Sequence, residues 1–377
     1  MSKRKKILFL TGTRADFGKQ KSLIMAVEKE DIFDISIFVT GMHMEPKYGG
    51  TNSEVQKCSF SNVYTFINQR SHDSMDTILA NTIQGFGSYV YALKPDMIII
   101  HGDRVESLAG AIVGALNNII VVHIEGGEVS GTIDESIRHA VSKLAHIHFV
   151  ANNEAKRRLL QMGEEESSIY VIGSPDIDLM ISPNMPPLLE IKEYYDIPYD
   201  EYAIFVYHSV TTSLHNLLDN IRIVMSALVA SERNYVVVYP SNDTGADIII
   251  EEIELQRDNP RFRIFSSIRF ESFLVLLKHC RFIIGNSSAG VREAPIYSIP
   301  AVNIGDRQSG RFSHETIINA KESKEEILKA IEAVKHIPYT PSNHFGDGNS
   351  TERFINVIKS PEVWDFNIQK KFIDIDY

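Results

Sequence analysis

Short apolar runs alternate with longer amphipathic runs along the whole chain. In the first half, the apolar runs predict strands, and the runs between them have the periodicity of helices. The strand candidates are Lys6–Thr11, Ile35–Thr40, Asp96–His101, Ile119–Ile124, Ile147–Val150 and Ile169–Ile172. The helix candidates are Lys19–Glu28, Asp76–Leu93, Glu106–Leu116, Ile133–His146 and Asn153–Met162. Continuous apolar strands that alternate with helices are typical of a parallel sheet covered on both faces.

The pattern is interrupted between residues 174 and 187, where serine and proline accumulate, and a linker is predicted there. The alternation then resumes. The further strand candidates are Ala203–His208, Asn234–Tyr239, Phe262–Phe265, Phe282–Gly285 and Ala301–Ile304. The further helix candidates are Leu214–Val229, Ala246–Leu255, Phe270–His279, Ala289–Ile296, Lys324–Val334 and Thr351–Ile358. Two α/β units of similar size predict two doubly wound domains that face each other across a cleft, with a ligand at the carboxyl ends of the strands.

Composition excludes several classes of protein. A chain of 377 residues with 44% hydrophobic and 23% charged residues has an ordinary globular profile. The net charge of −11 argues against a nucleic-acid surface, and no apolar run approaches the length of a membrane span. The apolar run after the basic start ends at Leu10, which is too short for an export signal. Cys58 and Cys280 match no metal-ligand spacing and predict reduced thiols in a cytosolic, cytoplasmic compartment.

The stretch His123–His139, HIEGGEVSGTIDESIRH, concentrates acidic residues between a strand candidate and a helix candidate. Glu125 follows the strand and precedes two glycines, which exposes its carboxylate to a ligand. Asp134 and Arg138 are four residues apart and share one helix face. The stretch is equally compatible with an acidic surface loop and a surface ion pair, so the residues alone leave both interpretations open.

Two other strand ends carry polar candidates. In His101-Gly-Asp-Arg, Asp103 is either the N-cap of the next helix, the more frequent role for such an aspartate, or a catalytic carboxylate held against Arg104. His208 ends the first strand of the second half and has the placement of a general acid or base. A lone histidine is, however, more often structural.

Two segments have the pattern of anion sites. TGTRADFG, residues 11–18, places glycines and Arg14 between a strand and a helix, although an ordinary turn has the same pattern. In GNSSAGVREA, residues 285–294, Ser287 or Ser288 is predicted to cap a helix whose free N–H groups and dipole receive a diphosphate. Glu293, one turn into that helix, suits ribose hydroxyls. A capped helix without a ligand is the alternative.

In this order, GTRADFG, HGDR, HIEGGEVSGTIDESIRH, HSVTT and GNSSAGVRE resemble the hydrolysing UDP-N-acetylglucosamine 2-epimerases. These are bacterial sialic-acid pathway enzymes and the epimerase half of a bifunctional animal enzyme, and the resemblance covers nearly the whole chain. It implies an α/β fold of the GT-B type with two Rossmann-like doubly wound domains, 1–181 and 188–360, and the active site in the cleft between them. It also implies a C-terminal helix, 361–377, that packs back on the first domain.

The resemblance further implies that UDP-GlcNAc and water give N-acetylmannosamine and UDP, the first step of sialic acid biosynthesis. UDP and the C2 proton leave to form a glycal, and water then adds with inversion at C2. The implied catalytic residues are Asp103, Glu125, Asp134 and His208. The implied residues for UDP and substrate are Arg14, Arg104, Arg138, Asn242, Ser287, Ser288, Glu293 and Arg307. Elimination and addition need no metal or redox cofactor, and members of the family are commonly homodimers or homotetramers.

The chain departs from the family pattern at one position, and four alternative functions remain. The family usually has proline where Ser209 stands, next to His208. A sister enzyme would act on another UDP-sugar, such as UDP-diacetylbacillosamine, and a non-hydrolysing epimerase would yield UDP-ManNAc. A GT-B glycosyltransferase would need an acceptor, and a nucleotide-sugar sensor would use the carboxylates only as caps and ion pairs. The products formed from UDP-GlcNAc distinguish all of these.

Overall fold

The computed structural model describes residues 4–70, 73–337 and 340–374, and its contacts divide the chain into two units. The first unit takes the described residues up to Glu128, Asp134–Ser182 and those from His344 onward. The second unit takes Val129–Ile133 and the described residues of Pro183–Asn343. The first unit is therefore assembled from segments that are far apart in the chain.

The first unit contains a seven-stranded parallel sheet with the strand order β3-β2-β1-β4-β5-β6-β7. Its strands are β1 (Lys5–Thr11), β2 (Phe33–Val39), β3 (Val63–Thr65), β4 (Met97–His101), β5 (Ile120–Ile124), β6 (Ile147–Val150) and β7 (Ile169–Val171). Its helices are α1 (Arg14–Glu28), α2 (Asn52–Lys57), α3 (Met75–Leu93), α4 (Val105–Leu116), α5 (Ile133–Leu144), α6 (Asn153–Gln161) and α7 (Pro175–Met180). The order runs outward in both directions from the adjacent strands β1 and β4, as in doubly wound folds.

Both faces of this sheet are buried, which explains the continuous apolar strands. Phe9 and Val122 belong to a core that also contains residues of α1 and of the C-terminal segment. Leu8 and Val121, their neighbours along the same strands, belong to a separate core with residues of α3 and α4. Successive residues of a strand point to opposite faces, so each face requires its own apolar positions.

The second unit contains a six-stranded parallel sheet with the order β10-β9-β8-β11-β12-β13. Its strands are β8 (Ala203–Val206), β9 (Tyr235–Val238), β10 (Phe262–Phe265), β11 (Ile283–Gly285), β12 (Ala301–Ile304) and β13 (Ile317–Ala320). Its helices are α8 (Leu188–Tyr194), α9 (Leu217–Ala230), α10 (Ala246–Glu254), α11 (Phe270–His279) and α12 (Lys324–Ala333). The chain then returns to the first unit with α13 (Ser350–Lys359) and α14 (Pro361–Trp364). The predicted class, with two Rossmann-like doubly wound domains, is confirmed. None of the helices described is long and apolar enough to cross a membrane.

Two strands were not predicted from the sequence, and one predicted helix is wrong. The edge strands β3 and β13 escaped prediction because they are short and partly exposed, so they lack a continuous apolar run. The helix predicted at Ala289–Ile296 is instead two 3-10 helices, Ser288–Gly290 and Ala294–Tyr297. Pro295 has no N–H to donate and its ring clashes with the preceding turn, which accounts for the interruption.

The boundaries of the linker and of the C-terminal helix also differ from prediction. The predicted linker contains α7, and the chain leaves the first unit only after Ser182. The C-terminal return begins at His344 rather than at residue 361, because α13 already packs with the first unit. Within 361–374 only Pro361–Trp364 is helical, so the expected long final helix is wrong for the part of that segment that the structure describes.

Candidate active site

Glu125 directly follows β5 and adopts a left-handed backbone conformation with φ of 63°. Its N–H donates to the carbonyl of Phe149 on the neighbouring strand at 2.9 Å. Positive φ is uncommon for residues other than glycine, and such strain is often found at functional positions. Gly127 (φ 75°) continues the turn, where a Cβ would lie 2.3 Å from the carbonyl oxygen of Ala155. The local backbone thus turns sharply at the predicted catalytic carboxylate.

The Glu125 carboxylate is 5% exposed and contacts polar groups from three other elements. Oε2 lies 3.3 Å from Lys19 Nζ of α1 and 3.4 Å from His101 Nε2 at the end of β4. Oε1 accepts a hydrogen bond from the hydroxyl of Ser174. A buried carboxylate is stabilised as an anion by such donors and by the lysine charge. Glu125 is therefore an oriented buried acid, and the surface-loop interpretation is wrong for it.

Lys19 and Asp176 belong to the same cluster, although the sequence did not identify them. Lys19 Nζ also lies 3.4 Å from Asp176 Oδ2 in α7, and both side chains are buried. Lys19 was assigned to an ordinary helix, and Asp176 to the predicted linker. The available signal was the spacing of Lys19 one turn after Asp16, which places both on the buried side of α1.

Asp103 accepts a hydrogen bond from the guanidinium of Arg138, which lies within α5. Arg138 is 1% exposed, and its Nη1 also donates to the carbonyl of Glu128 at 3.1 Å. The N-cap position of α4 is occupied by Arg104, so the N-cap interpretation of Asp103 is wrong. Glu128 is itself buried rather than part of an acidic surface.

The position of Asp103 is further supported through the neighbouring Gly102. His123 Nε2 lies 2.8 Å from the Gly102 carbonyl, and Nδ1 lies 3.0 Å from the Ser142 hydroxyl. A carbonyl only accepts, so Nε2 carries the proton of the neutral ring. Burial lowers the pKa of His123 to about 3, so the ring stays neutral. Asp134, half-buried in the first turn of α5, lies one helical turn before Arg138.

The segment around Arg14 differs from the predicted anion loop. Helix α1 begins at Arg14, and Thr13 and Asp16 form a capping box at its start. The N–H groups of Gly12 and Thr13 both donate to Asp16 Oδ2 at 3.0 Å, so the expectation that they approach an anion is wrong. Burial raises the pKa of Asp16 to about 6. The Arg14 guanidinium lies 2.6 Å from Glu54 Oε1.

In the second unit, His208 lies just beyond β8 and is held from two sides. Its N–H donates to Asn286 Oδ1 at 2.6 Å, and its carbonyl accepts from Asn286 Nδ2 at 2.8 Å. Its ring Nδ1 accepts from the N–H of Ser241 at 3.1 Å, so Nε2 carries the proton of the neutral ring. Strands β8 and β11 are adjacent at the centre of this sheet, where doubly wound folds bind ligands. Asn286 was within a predicted motif but was not identified as a site residue.

Five of the predicted UDP ligands lie in the same unit. Ser287 is the N-cap of the 3-10 helix Ser288–Gly290 and accepts from the N–H of Ala289 at 3.3 Å, so the predicted cap is confirmed. That helix is a single short turn and not the predicted longer helix, so the dipole argument for Ser287 and Ser288 is wrong. Glu293 is buried and precedes the second 3-10 helix. Arg307 Nη1 donates to the carbonyl of Asn286 at 3.2 Å. The remaining predicted ligand, half-buried Asn242, lies between β9 and α10.

Within the ranges 4–70, 73–337 and 340–374, no group of three or more histidine, cysteine, aspartate or glutamate residues is arranged to hold a metal ion. The two cysteines, Cys58 and Cys280, are both free thiols. The polar clusters of each unit thus consist of carboxylates, cations and amides, which suit acid–base and electrostatic chemistry.

The chain is similar to known proteins along almost its whole length. A protein of Neisseria meningitidis serogroup B named UDP-N-acetylglucosamine 2-epimerase is 46% identical over 376 residues, covering 99% of this chain and 100% of that protein. A Legionella pneumophila protein named UDP-N,N'-diacetylbacillosamine 2-epimerase (hydrolyzing) is 33% identical, covering 94% of this chain and 96% of that protein.

The solved structure of Methanocaldococcus jannaschii UDP-GlcNAc 2-epimerase in complex with UDP-GlcNAc and UDP has the same fold. Its TM-score is 0.80 at 21% identity, with coverage of 94% of this chain and 99% of that chain. The family model described as UDP-N-acetylglucosamine 2-epimerase matches residues 25–359. The chain therefore belongs to the UDP-N-acetylglucosamine 2-epimerase family.

Proposed function

We propose that this chain is a hydrolysing UDP-GlcNAc 2-epimerase, which converts UDP-GlcNAc and water into N-acetylmannosamine and UDP. The observation that carries the proposal is the buried Glu125 carboxylate, oriented by Lys19 and Ser174 one strand away from Asp103. Its chemistry suits the reaction because a C2 proton must be removed and later returned. The named hydrolysing relative at 33% identity supports the hydrolytic outcome.

The proposed reaction has two steps, an elimination and an addition. First, a base takes the C2 proton while the bond between C1 and the diphosphate oxygen breaks, and UDP leaves with that electron pair. The product is a glycal with a double bond between C1 and C2. Second, the oxygen of water bonds to C1 and loses one proton to a base, while an acid delivers a proton to C2 from the opposite face and the double bond between C1 and C2 is consumed. Removal and return on opposite faces require more than one acid–base group.

We assign the acid–base roles to Asp103, Glu125, Asp134 and His208. The buried Arg138 donates a hydrogen bond to the first of these carboxylates, Asp103. A paired, hydrogen-bonded carboxylate keeps one geometry during proton transfer. The Nδ1 of the His208 ring accepts from the N–H of Ser241, so we assign proton transfer by this residue to Nε2.

We assign the binding of UDP to Arg14, Arg104, Asn242, Ser287, Ser288, Glu293 and Arg307, and a substrate contact to Arg138. Guanidinium groups and main-chain donors stabilise the charge that develops on the departing diphosphate. Elimination and addition need no redox cofactor. We also expect a homodimer or homotetramer, which light scattering of the purified protein measures.

Incubation with UDP-GlcNAc in heavy water, followed by NMR, tests the function. Free UDP together with N-acetylmannosamine that carries deuterium at C2 is the expected result. UDP-ManNAc as the product would instead identify the non-hydrolysing reaction. Turnover of UDP-diacetylbacillosamine but not of UDP-GlcNAc would assign the sister activity, and no reaction without an acceptor would favour transfer or sensing. N-acetylmannosamine as the product would fit a role in sialic acid biosynthesis.

A further inference from the structure

Ser174 occupies the N-cap position of α7 but does not cap that helix. Its backbone is extended, with φ of −85° and ψ of 130°, and its side chain makes no capping hydrogen bond. Serine at this position normally accepts from an N–H of the first turn, which is why it is favoured there. Here the hydroxyl donates to Glu125 Oε1, and the residue is 0% exposed. The Ser174 hydroxyl therefore binds the Glu125 carboxylate and does not cap α7.

The main chain of Ser174 is fixed by the segment with which the chain returns to the first unit. Its N–H donates to the carbonyl of Phe345 at 2.7 Å, and its carbonyl accepts from the Ser350 hydroxyl at 3.0 Å. The carboxylate of Asp178, one turn further on, accepts from the N–H groups of Ser350 and Thr351 at 2.9 and 2.6 Å. Because both sides of the peptide are held, the hydroxyl has a defined position relative to Glu125.

The two oxygens of Glu125 have different partners. Oε1 contacts Ser174, whereas Oε2 contacts Lys19 at 3.3 Å and His101 at 3.4 Å. Rotation of the carboxylate would break all of these contacts, so together they select one orientation. A donor to the ionised form also favours ionisation. The other titratable groups on the surrounding elements are Asp16 of α1, Glu106 of α4, and Asp176 and Asp178 of α7.

We propose that Ser174 is a positioning residue, which keeps the Glu125 carboxylate ionised and in one orientation for proton transfer. The inference rests on the proposed function, because it takes Glu125 to be a catalytic group. It adds a residue of the predicted linker to the active site. It also connects the C-terminal return segment to the reaction through the Ser174 main chain.

The kinetic test compares Ser174→Ala with Ser174→Thr, which retains a hydroxyl. For Ser174→Ala we expect kcat to fall about tenfold with KM little changed, the size of one hydrogen bond to a charged group. The acidic limb of the pH–rate profile should move to higher pH by about one unit, because loss of the hydroxyl donor raises the pKa of the Glu125 carboxyl. Ser174→Thr should restore both the wild-type kcat and the wild-type position of the acidic limb.

Ser168→Ala is the matched control, because it also removes a buried hydroxyl from the first unit. The Ser168 hydroxyl donates to the carbonyl of Glu165 at 2.6 Å, before β7 and outside the Glu125 cluster. This variant should keep the wild-type pH–rate profile. The same upward shift in Ser168→Ala, or an unshifted limb in Ser174→Ala, would overturn the proposal.

A second measurement does not depend on turnover or on thermal stability. Protein labelled with ¹³C at the glutamate carboxyl carbons is titrated by NMR, and Glu125→Gln identifies the resonance of Glu125. We expect its midpoint to rise in Ser174→Ala and to return in Ser174→Thr. An identical midpoint in wild type and Ser174→Ala overturns the proposal. A risen midpoint in a protein that releases no N-acetylmannosamine supports the contact and refutes the proposed reaction instead.

Discussion

The guanidinium of the buried Arg138 donates to the carboxylate of Asp103, which lies just beyond the end of β4 and keeps 25% of its side chain exposed. The amide oxygen of an asparagine at this position can still accept the hydrogen bond from Arg138, so the contact does not require the carboxylate charge. Asp103→Asn keeps the shape and removes only the negative charge. We expect it to lower turnover by roughly 10²–10⁴-fold with the fold intact, as measured by N-acetylmannosamine release and circular dichroism.

Asp134 and Glu135 are adjacent carboxylates and offer a matched comparison. Glu135 pairs with His139 Nε2 at 3.5 Å on the half-exposed side of α5. We predict that Asp134→Asn abolishes most activity, whereas Glu135→Gln retains it, since an exposed pair contributes little. Steady-state rates of both variants test this. Equal losses in the two variants would remove Asp134 from the catalytic group.

His208 and the exposed His215 provide the corresponding comparison in the second unit. His208→Ala removes the ring oriented by Ser241 and should lower kcat by roughly 10²–10⁴-fold, the usual contribution of a general acid or base. His215→Ala should leave kcat unchanged. Near-normal turnover in His208→Ala would exclude this histidine from acid–base chemistry.

Glu293 is predicted to bind the ribose of UDP. Replacement by alanine should weaken UDP binding about tenfold or more, because hydrogen bonds from ribose hydroxyls to a carboxylate are lost. Glu325, exposed in the first turn of α12, serves as the control for removal of a carboxylate. Calorimetric titration with UDP measures both dissociation constants, and an unaltered value for Glu293→Ala contradicts the assignment.

The stability of the fold should decrease as the pH falls below about 6.5. Burial lowers the pKa of both His43 and His123 to about 3, so the unfolded chain binds protons that the folded chain does not. Their contribution is complete above pH 6.5 and is lost toward pH 3, at about 1.4 kcal/mol per pH unit for each ring. Asp16, with its pKa raised by burial to about 6, acts oppositely between pH 6 and 3.8 and offsets part of the loss.

Chemical denaturation of the wild type at pH 7.5, 6.5 and 5.5 measures this slope. In His123→Gln the contribution of one ring should disappear from the slope, with that of His43 and of the other histidines of lowered pKa, His146 and His148, retained. His215→Gln, at an exposed position, should keep the wild-type slope. A free energy of unfolding that is constant from pH 7.5 to 5.5 would contradict the prediction.

The sequence predicted the parallel sheets because their strands are buried on both faces, as in Ile98–Ile100 of β4. Asp103, Glu125 and His208 could be placed at strand ends because each of them lies at or just after the end of such an apolar run. The sequence did not identify Lys19, Ser174 and Asp176 as site residues. Their contacts with one another and with Glu125 depend on the packing of α1 against α7 and not on spacing along the chain. The apolar periodicity of residues 289–296 predicted one continuous helix, but Pro295 lacks an N–H and interrupts it.

The division of the first unit into separate chain segments has a consequence for synthesis. All the strands and helices α8–α12 of the second unit emerge from the ribosome before residues 344–374, which supply α13 and the partners of the Ser174 main chain. Domains generally fold as units once their residues are available. The second unit can therefore complete its core first, and the peptide that carries Ser174 acquires its hydrogen bonds to Phe345 and Ser350 only after those residues have been synthesised.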